Sequence, residues 1–598
     1  MKLTTLFLAT ILSVNALSAA DSGEPLSGSH NKEKQPPNVL FISIDDMNHW
    51  ISGMREYQDI YDYPAYKTPN IDKLLQRGMF FTSAHVPASS CKPSRVSTFT
   101  GRNVISHGVY RNPHEWLISP ILKGRDDISL MQRFRKEGYW VAGGGKNFHG
   151  VHEASWDEFL GRTSPKLPPE EDARRRELSN IFSKAMEEMY QRRDAAKGSK
   201  ADREAAKVNG NKKDDAVVWG WIDAPDEAMP DSRMVDYIIK QLNKKHDKPF
   251  YLGVGFHKPH MPWSVPKKYF DMYPLDEIPT PVVKEDDWDD LGNQGKSIAG
   301  GSTHEYMLKT DQWKKAIQGY LATCTYTDVQ IGRLMEAFDK SPHKDNTIIV
   351  MWSDHGWHLG DKNHWKKFTL WEETTHVPMF IAAPGITKPG QKCDRVVGSI
   401  DLYPTLLELC GFAPNKTLDG NSLVPLLKNP KKEWNHPVLT THSRGYNAIR
   451  TEKWRYIQYP KDGEEELYDR LNDPLEHHNL ANNPDYTEVL EELRAHVPEQ
   501  QAEEVVQVAN VVRNVQLELL NRKKKIGGPT YSEAQKKAYA AVLACEPGKE
   551  EEVARTIATE IFSKAIAAGV YNPENLTRPT GGIAQGKEGV LNEKKKKK

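Results

Sequence analysis

In NVLFISIDD, residues 38–46, a run of β-branched and aromatic residues ends on two aspartates. No polar–apolar alternation interrupts it. That pattern fits a strand buried on both faces of a sheet. It recurs in YWVAGGGKNFHG (139–150), PFYLGVGFHKPH (249–260) and NTIIVMWSDHG (346–356). Helical patterns fall between these runs, near 70–78, 127–137, 231–245 and 311–339. Strand and helix alternating in this way predict an α/β layered domain.

Each run ends in reactive groups: Asp45-Asp46, then Lys146 and His149, then His257 and His260, then Asp354-His355. Ligand sites of open α/β sheets lie beyond the carboxyl ends of the strands. If the four strands are parallel neighbours, all these groups meet at one edge. Asp45, Asp46 and Asp354 are hard oxygen donors that repel one another at close range. A divalent cation resolves that repulsion, and oxygen-rich ligation suits calcium or magnesium. Lys146, Arg95 and a metal suit a tetrahedral oxyanion, and histidines move protons near neutral pH. Taken singly, each group has an ordinary use: an aspartate pair as a turn or cap, a histidine as a structural residue, a lysine after three glycines as a solvated loop. Four such endings in one chain favour a site.

The segment Cys91-Lys92-Pro93-Ser94-Arg95, followed by Thr100-Gly101-Arg102, resembles the signature of the type I sulfatases of the alkaline phosphatase superfamily. Further stretches resemble that family in its order: IDD, GGKNFH, SDHG, THVP (375–378), SIDLYPTLLELCG (399–411), LDGNSLVPLL (418–427) and ELYDRLNDPLEHHNL (467–480). GFHKPHMPW (255–263) and SDHGWHLGDKNHWKKFT (353–369) resemble the iduronate-2-sulfatase branch. The resemblance implies a large mixed β-sheet sandwiched by helices, with a smaller C-terminal antiparallel sheet. It implies that Cys91 is oxidised to Cα-formylglycine, by a formylglycine-generating or an anaerobic sulfatase-maturing enzyme. It implies one calcium ion on Asp45, Asp46, Cys91, Asp354 and His355. Many family members carry Asn at the position of His355, and the iduronate-2-sulfatase branch carries His. Arg95 and Lys146 match groups that hold the formylglycine and the sulfate, and His149 matches the base near the formylglycine. His257 and Lys367 match groups on the sulfate and the leaving oxygen, with His260 beside them and Lys366 adjacent to Lys367.

The remainder of the chain sets the context. It has 598 residues, with Lys+Arg and Asp+Glu both 81, so net charge points to neither nucleic acid nor an anionic membrane. Residues 1–20 read as a secretory signal, with Lys2 before the apolar stretch Leu6–Leu17 and small residues at Ser18-Ala19-Ala20. That stretch is short for a membrane span, so the expectation is an exported protein, periplasmic or secreted, with no stable membrane insertion. Residues 21–37 read as a linker and 38–430 as the catalytic domain, with a charged helical insertion at about 165–232. Residues 431–484 read as the antiparallel subdomain and 485–598 as a charged helical extension with a lysine tail. The five cysteines form no CxxC pattern; export permits disulfides, but their pairing is not readable. Trp263, Trp357, Trp365 and Trp371 lie near the motifs and serve equally well as core or as stacking surfaces for sugars.

The expected function is therefore removal of sulfate from a sulfated carbohydrate, acting from the end of an oligosaccharide. Two rivals remain at this level: a phosphatase or phosphonate monoester hydrolase on the same fold, and a non-catalytic binder of sulfated glycans.

Overall fold

All eight residues of strand β1, Asn38–Asp45, are buried. The computed structural model describes residues 35–54, 67–112, 116–119, 121–122, 128–161, 166–196, 217–519 and 529–567. The signal, nearly all of the linker, part of the charged insertion and the lysine tail lie outside the described residues. Along the chain follow β2 (Met79–His85), β3 (Trp140–Gly145), β4 (Glu158–Phe159), β5 (Phe250–Pro259) and β6 (Thr347–Ser353). Two short strands, β7 (His358–Leu359) and β8 (Trp365–Lys366), pair in a separate ribbon. Then come β9 (His376–Ala382), β10 (Gln391–Cys393) and β11 (Val397–Gly398).

The main sheet runs β10-β2-β9-β6-β1-β5-β3-β4, with β11 also on β2. Its centre, β6-β1-β5-β3, is parallel, and it comprises the four apolar runs of the sequence. Strand β9 is antiparallel to both β6 and β2, so the sheet is mixed and β2 ends on the same edge as the central four. Alternate residues of β1 feed opposite cores. Val39 and Phe41 join one with Val96, Phe99 and Leu406, while Leu40, Ile42 and Ile44 join the other with Ile238, Ile317 and Leu321. Helices Pro230–Leu242 and Trp313–Lys340 cover the second face.

The helices after residue 485, read from sequence as a charged extension, bury their apolar faces. Val508, Val512, Ala534, Val542, Ala558 and Phe562 join the first core. Between them and the main domain, β12 (Val438–Ser443), β13 (Tyr446–Arg450), β14 (Trp454–Gln458) and β15 (Glu465–Asp469) form the four-stranded antiparallel sheet. The fully buried Arg455 ties it down. Its guanidinium donates to the carbonyl of Leu370 (3.0 Å), to Thr375 Oγ1 (2.9 Å), to Glu476 and to Glu372. Removing one partner of such a buried pair costs about 3–5 kcal/mol. None of the five cysteines forms a disulfide in the structure, and among the described residues no helix is long and apolar enough to cross a membrane.

One buried carboxyl lies far from the strand ends. Asp328 Oδ1 accepts the backbone N–H of Asn70 (2.9 Å) and Ile71 (2.7 Å) at the start of helix Pro69–Leu75. Burial nevertheless pushes its pKa up from 3.8 to about 7. The folded state thus holds this proton more tightly than the unfolded chain. The stability it contributes is full below the unfolded value and lost as pH rises through the folded one. The melting temperature of the wild type, measured relative to Asp328→Asn, should therefore fall between about pH 4 and about pH 8. A pH-independent difference would contradict the assignment.

Candidate active site

Close backbone approach builds the edge where the strands end. A Cβ on Gly145 (φ 72°) would meet the carbonyl oxygen of Gly255 at 1.9 Å, and one on Gly255 would meet the backbone of Lys146 at 2.3 Å. Only glycine lets β3 and β5 converge this tightly, and that convergence swings Lys146 back over the strand ends. The helix Cys91–Thr100 stops at Gly101, whose left-handed φ of 64° ends the helix where a Cβ would press Leu418 at 2.7 Å. Asp46 itself adopts φ 67°, a conformation that aspartate tolerates better than most residues and that turns it across β1.

Three carboxylates meet here with none of their side chains exposed: Asp45, Asp46 and Asp354. Arg95, also unexposed, is the clamp. Its Nε donates to Asp354 Oδ2 (2.7 Å), Nη2 approaches Asp45 Oδ1 (3.4 Å), and Nη1 donates to the carbonyls of Lys146 and Asn147. The guanidinium therefore holds the acidic groups and the Lys146 loop, and turns no donor toward a substrate. Lys146 Nζ donates to Asp45. Lys367 Nζ lies 2.7 Å from Asp46 Oδ1 and 3.0 Å from Cys91 Sγ. Of the two adjacent lysines, it is thus Lys367 that enters the cluster. His355 Nε2 lies 3.3 Å from Cys91 Sγ and 3.3 Å from Asp46 Oδ1.

The electrostatics separate the carboxylates. Burial raises Asp45, but Lys146, with Arg95 and Lys367, more than offsets it and holds its pKa well below the usual range. Asp46 ends above its usual value: burial raises it, Lys367 opposes, and Asp45 adds to the rise. Asp46 Oδ2 is buried without a hydrogen-bond partner. The histidines point the same way. His355 Nδ1 faces the carbonyl of Gly356 (3.0 Å) and His260 Nδ1 that of Met261 (2.6 Å). A carbonyl can only accept, so each Nδ1 carries the hydrogen. Burial keeps both rings neutral, so their Nε2 lone pairs face Asp46, His260 from 3.9 Å. Acceptors facing acceptors around an orphaned carboxylate oxygen fit a cation. Asp45, Cys91, Asp354 and His355 have ligand atoms close enough to share one ion, and Asp46 with Cys91 and His260 form an overlapping group.

The cluster has a floor and a mouth. Arg95, the three aspartates and His355 are fully buried, while the His257 and His260 side chains are 35% and 28% exposed. His257 Nδ1 stands 3.7 Å from Asp45 Oδ2. His149 is half-buried, and burial with Lys146 and Lys92 pushes its pKa down to about 3. Sequence reading missed Asp231. This residue of helix Pro230–Leu242 accepts the backbone N–H of both His257 (3.1 Å) and Lys258 (2.9 Å), fixing the turn that carries both histidines. Its only sequence signal was an aspartate after the proline that opens the helix. The four tryptophans named above are core residues, none more than 2% exposed.

A family model described as Sulfatase matches residues 37–412, and a second, N-sulphoglucosamine sulphohydrolase, C-terminal, matches residues 360–503. The chain is 36% identical over 484 residues to a sulfatase of Formosa agariphila, spanning 79% of this chain and 88% of that one. It is 28% identical over 413 residues to human iduronate 2-sulfatase, 63% of this chain and 69% of that one. The solved phosphonate monoester hydrolase of Agrobacterium radiobacter shares the fold with a TM-score of 0.57 at 23% identity, covering 78% of this chain and 97% of that one.

Chelator-treated protein should gain a few degrees of melting temperature on adding calcium in large excess over its dissociation constant. Asp46→Ala, which removes the unpartnered Oδ2, should abolish that gain. A gain of equal size in the variant would contradict the placement of the ion.

Proposed function

The chain belongs to the sulfatase family, and on that premise we propose that it removes sulfate from a sulfated carbohydrate, with Cys91 matured to Cα-formylglycine. The observation that carries this reading is the setting of Cys91. Its Sγ lies between Lys367 Nζ and His355 Nε2 at the meeting point of the acidic groups. Burial pushes its thiol up to about 11, against the pull of Lys146 and Lys367. At neutral pH this sulfur is a protonated thiol, a poor nucleophile for an ester. The position suits a different nucleophile made from the same residue.

When present, the aldehyde would add water to give a geminal diol, one hydroxyl of which is the nucleophile and the other the source of the proton whose loss restores the aldehyde, and a calcium ion would supply Lewis acidity. Asp45, Asp46, Asp354, His355 and position 91 would hold the ion. The protein's own residues then divide the work. Lys146 and Lys367 neutralise the equatorial sulfate oxygens; both stay charged because their carboxylate neighbours offset the cost of burial. Burial, together with Lys146, keeps His257 neutral, while Asp45 pulls the other way. A bound sulfate anion adds to that pull, so His257 can deliver a proton to the leaving sugar oxygen. His149, kept neutral, takes the proton whose removal releases sulfate. Arg95 positions the acidic groups and the Lys146 loop.

The fold alone serves phosphonate ester hydrolysis in the Agrobacterium enzyme, so fold does not choose the anion. The sulfatase match across residues 37–412 favours sulfate. Likeness to iduronate 2-sulfatase and to the C-terminal region of N-sulphoglucosamine sulphohydrolase supports a sugar, with exo action on a uronic acid 2-sulfate as the narrower reading. Export through residues 1–20 and maturation by a formylglycine-generating or anaerobic sulfatase-maturing enzyme belong to the same proposal.

Matured protein should release sulfate from glycosaminoglycan or algal oligosaccharides, and should prefer a sugar sulfate to the same sugar's phosphate. Cys91→Ala should lower turnover by at least about 10³-fold, and Lys367→Met by about 10²–10³-fold. Retained turnover in Cys91→Ala would reject this nucleophile. A preference for phosphate would favour the rival activity.

A further inference from the structure

Phe368 follows Lys367 directly and is 40% exposed. Its backbone sits at φ 77°, in the left-handed region. For a bulky residue this is a strained conformation that persists only where the surroundings enforce it. The backbone here is tied to Ser89, two positions before Cys91. The N–H of Phe368 donates to the carbonyl of Ser89 (3.2 Å). Ser89 Oγ is 3.0 Å from Nδ1 of His442, which belongs to β12 of the C-terminal sheet. The two rings meet edge to face, centroids 6.3 Å apart. Lys367 Nζ lies 5.9 Å from the Phe368 ring centroid and 3.0 Å from Cys91 Sγ. A strained, half-exposed aromatic ring thus stands at the mouth of the site, pinned with a partner ring to the segment that leads into Cys91.

Resting on the carbohydrate reading above, we propose that Phe368, backed by His442, is the platform that receives the pyranose ring bearing the scissile sulfate. The apolar face of a pyranose presents C–H groups that pack on an aromatic face, while its sulfate reaches past the ring to Lys367 and Lys146. The strain is then kept because the only backbone that suits Lys367 also lifts the next side chain into the mouth. The C-terminal sheet contributes to the site through His442, which burial keeps neutral with a pKa of about 4. A neutral ring at this point adds no further cation to compete with Lys146 and Lys367 for the sulfate.

The test compares wild type, Phe368→Gly and Phe368→Tyr, all matured, on oligosaccharides of heparan sulfate, chondroitin sulfate and ulvan. Glycine accepts the left-handed backbone, so Phe368→Gly should melt no lower than wild type. On whichever oligosaccharide the wild type desulfates, its KM should rise about tenfold with kcat changed less than about twofold, because a stacking platform binds ground and transition states alike. Phe368→Tyr should keep the wild-type KM. An unchanged KM in Phe368→Gly overturns the platform while leaving the sulfatase reading intact. So does an equal fall in kcat and kcat/KM, which would mean that the ring acts by holding Lys367. If the wild type releases sulfate from none of these sugars, the carbohydrate reading fails and the platform fails with it.

Discussion

Three carboxylates stripped of solvent at one edge of a sheet are the constraint on which the rest of this structure depends. Left alone, Asp45, Asp46 and Asp354 would repel one another and lose hydration. Arg95 answers part of that cost from below, Lys146 and Lys367 from the sides. The sheet answers another part, since the N–H of Asp46 donates to Asp354 Oδ1 at 3.1 Å. What stays unanswered is Asp46 Oδ2, with two imidazole lone pairs aimed at its carboxylate. The shortage lies beside Cys91, and a divalent ion there would meet it.

Backbone features far from the reacting atoms serve this edge. Gly145 and Gly255 let two strands approach until the loop of Lys146 folds over their ends. Asp231 holds the turn of His257 and His260 from a neighbouring helix. Arg455 anchors the antiparallel sheet to Leu370 and to the short helix Glu372–Thr375, only a few residues after Lys367. A parallel bridge of Thr441 with Ala88, and the N–H of Thr441 donating to the carbonyl of Pro87 at 2.9 Å, bring His442 to Ser89. The second sheet is therefore a wall of the site as well as a cap on the fold.

Much of this was legible in the sequence. Continuous apolar runs identified four strands that lie side by side and parallel, and their polar endings do converge. The CxPSR and TGR pattern identified the family, and its Cys91 and Arg95 lie in the cluster where the strands end. Other features were not legible, for physical reasons. The antiparallel insertion of β9 between β6 and β2 leaves no mark on composition. Arg95, read as a sulfate-facing group, spends its donors on carboxylates and carbonyls, and residue type alone cannot show direction. Tryptophans beside a motif read the same whether buried or exposed, and here all four are buried. Phe368 and His442 become a pair only through tertiary contact, 74 positions apart in the chain. The helices beyond residue 485 looked like a solvated extension because their small apolar faces are diluted by charge.

The acidic groups gather around Cys91, and its proposed maturation to Cα-formylglycine is what the sulfatase reading needs most. The most direct measurement is the mass of the tryptic peptide Gly78–Arg95, whose internal Lys92-Pro93 bond resists trypsin, taken from protein that is turning over a sulfate ester. An aldehyde in place of the thiol at position 91 is the predicted result. An intact Cys91 thiol throughout a fully active preparation would contradict it.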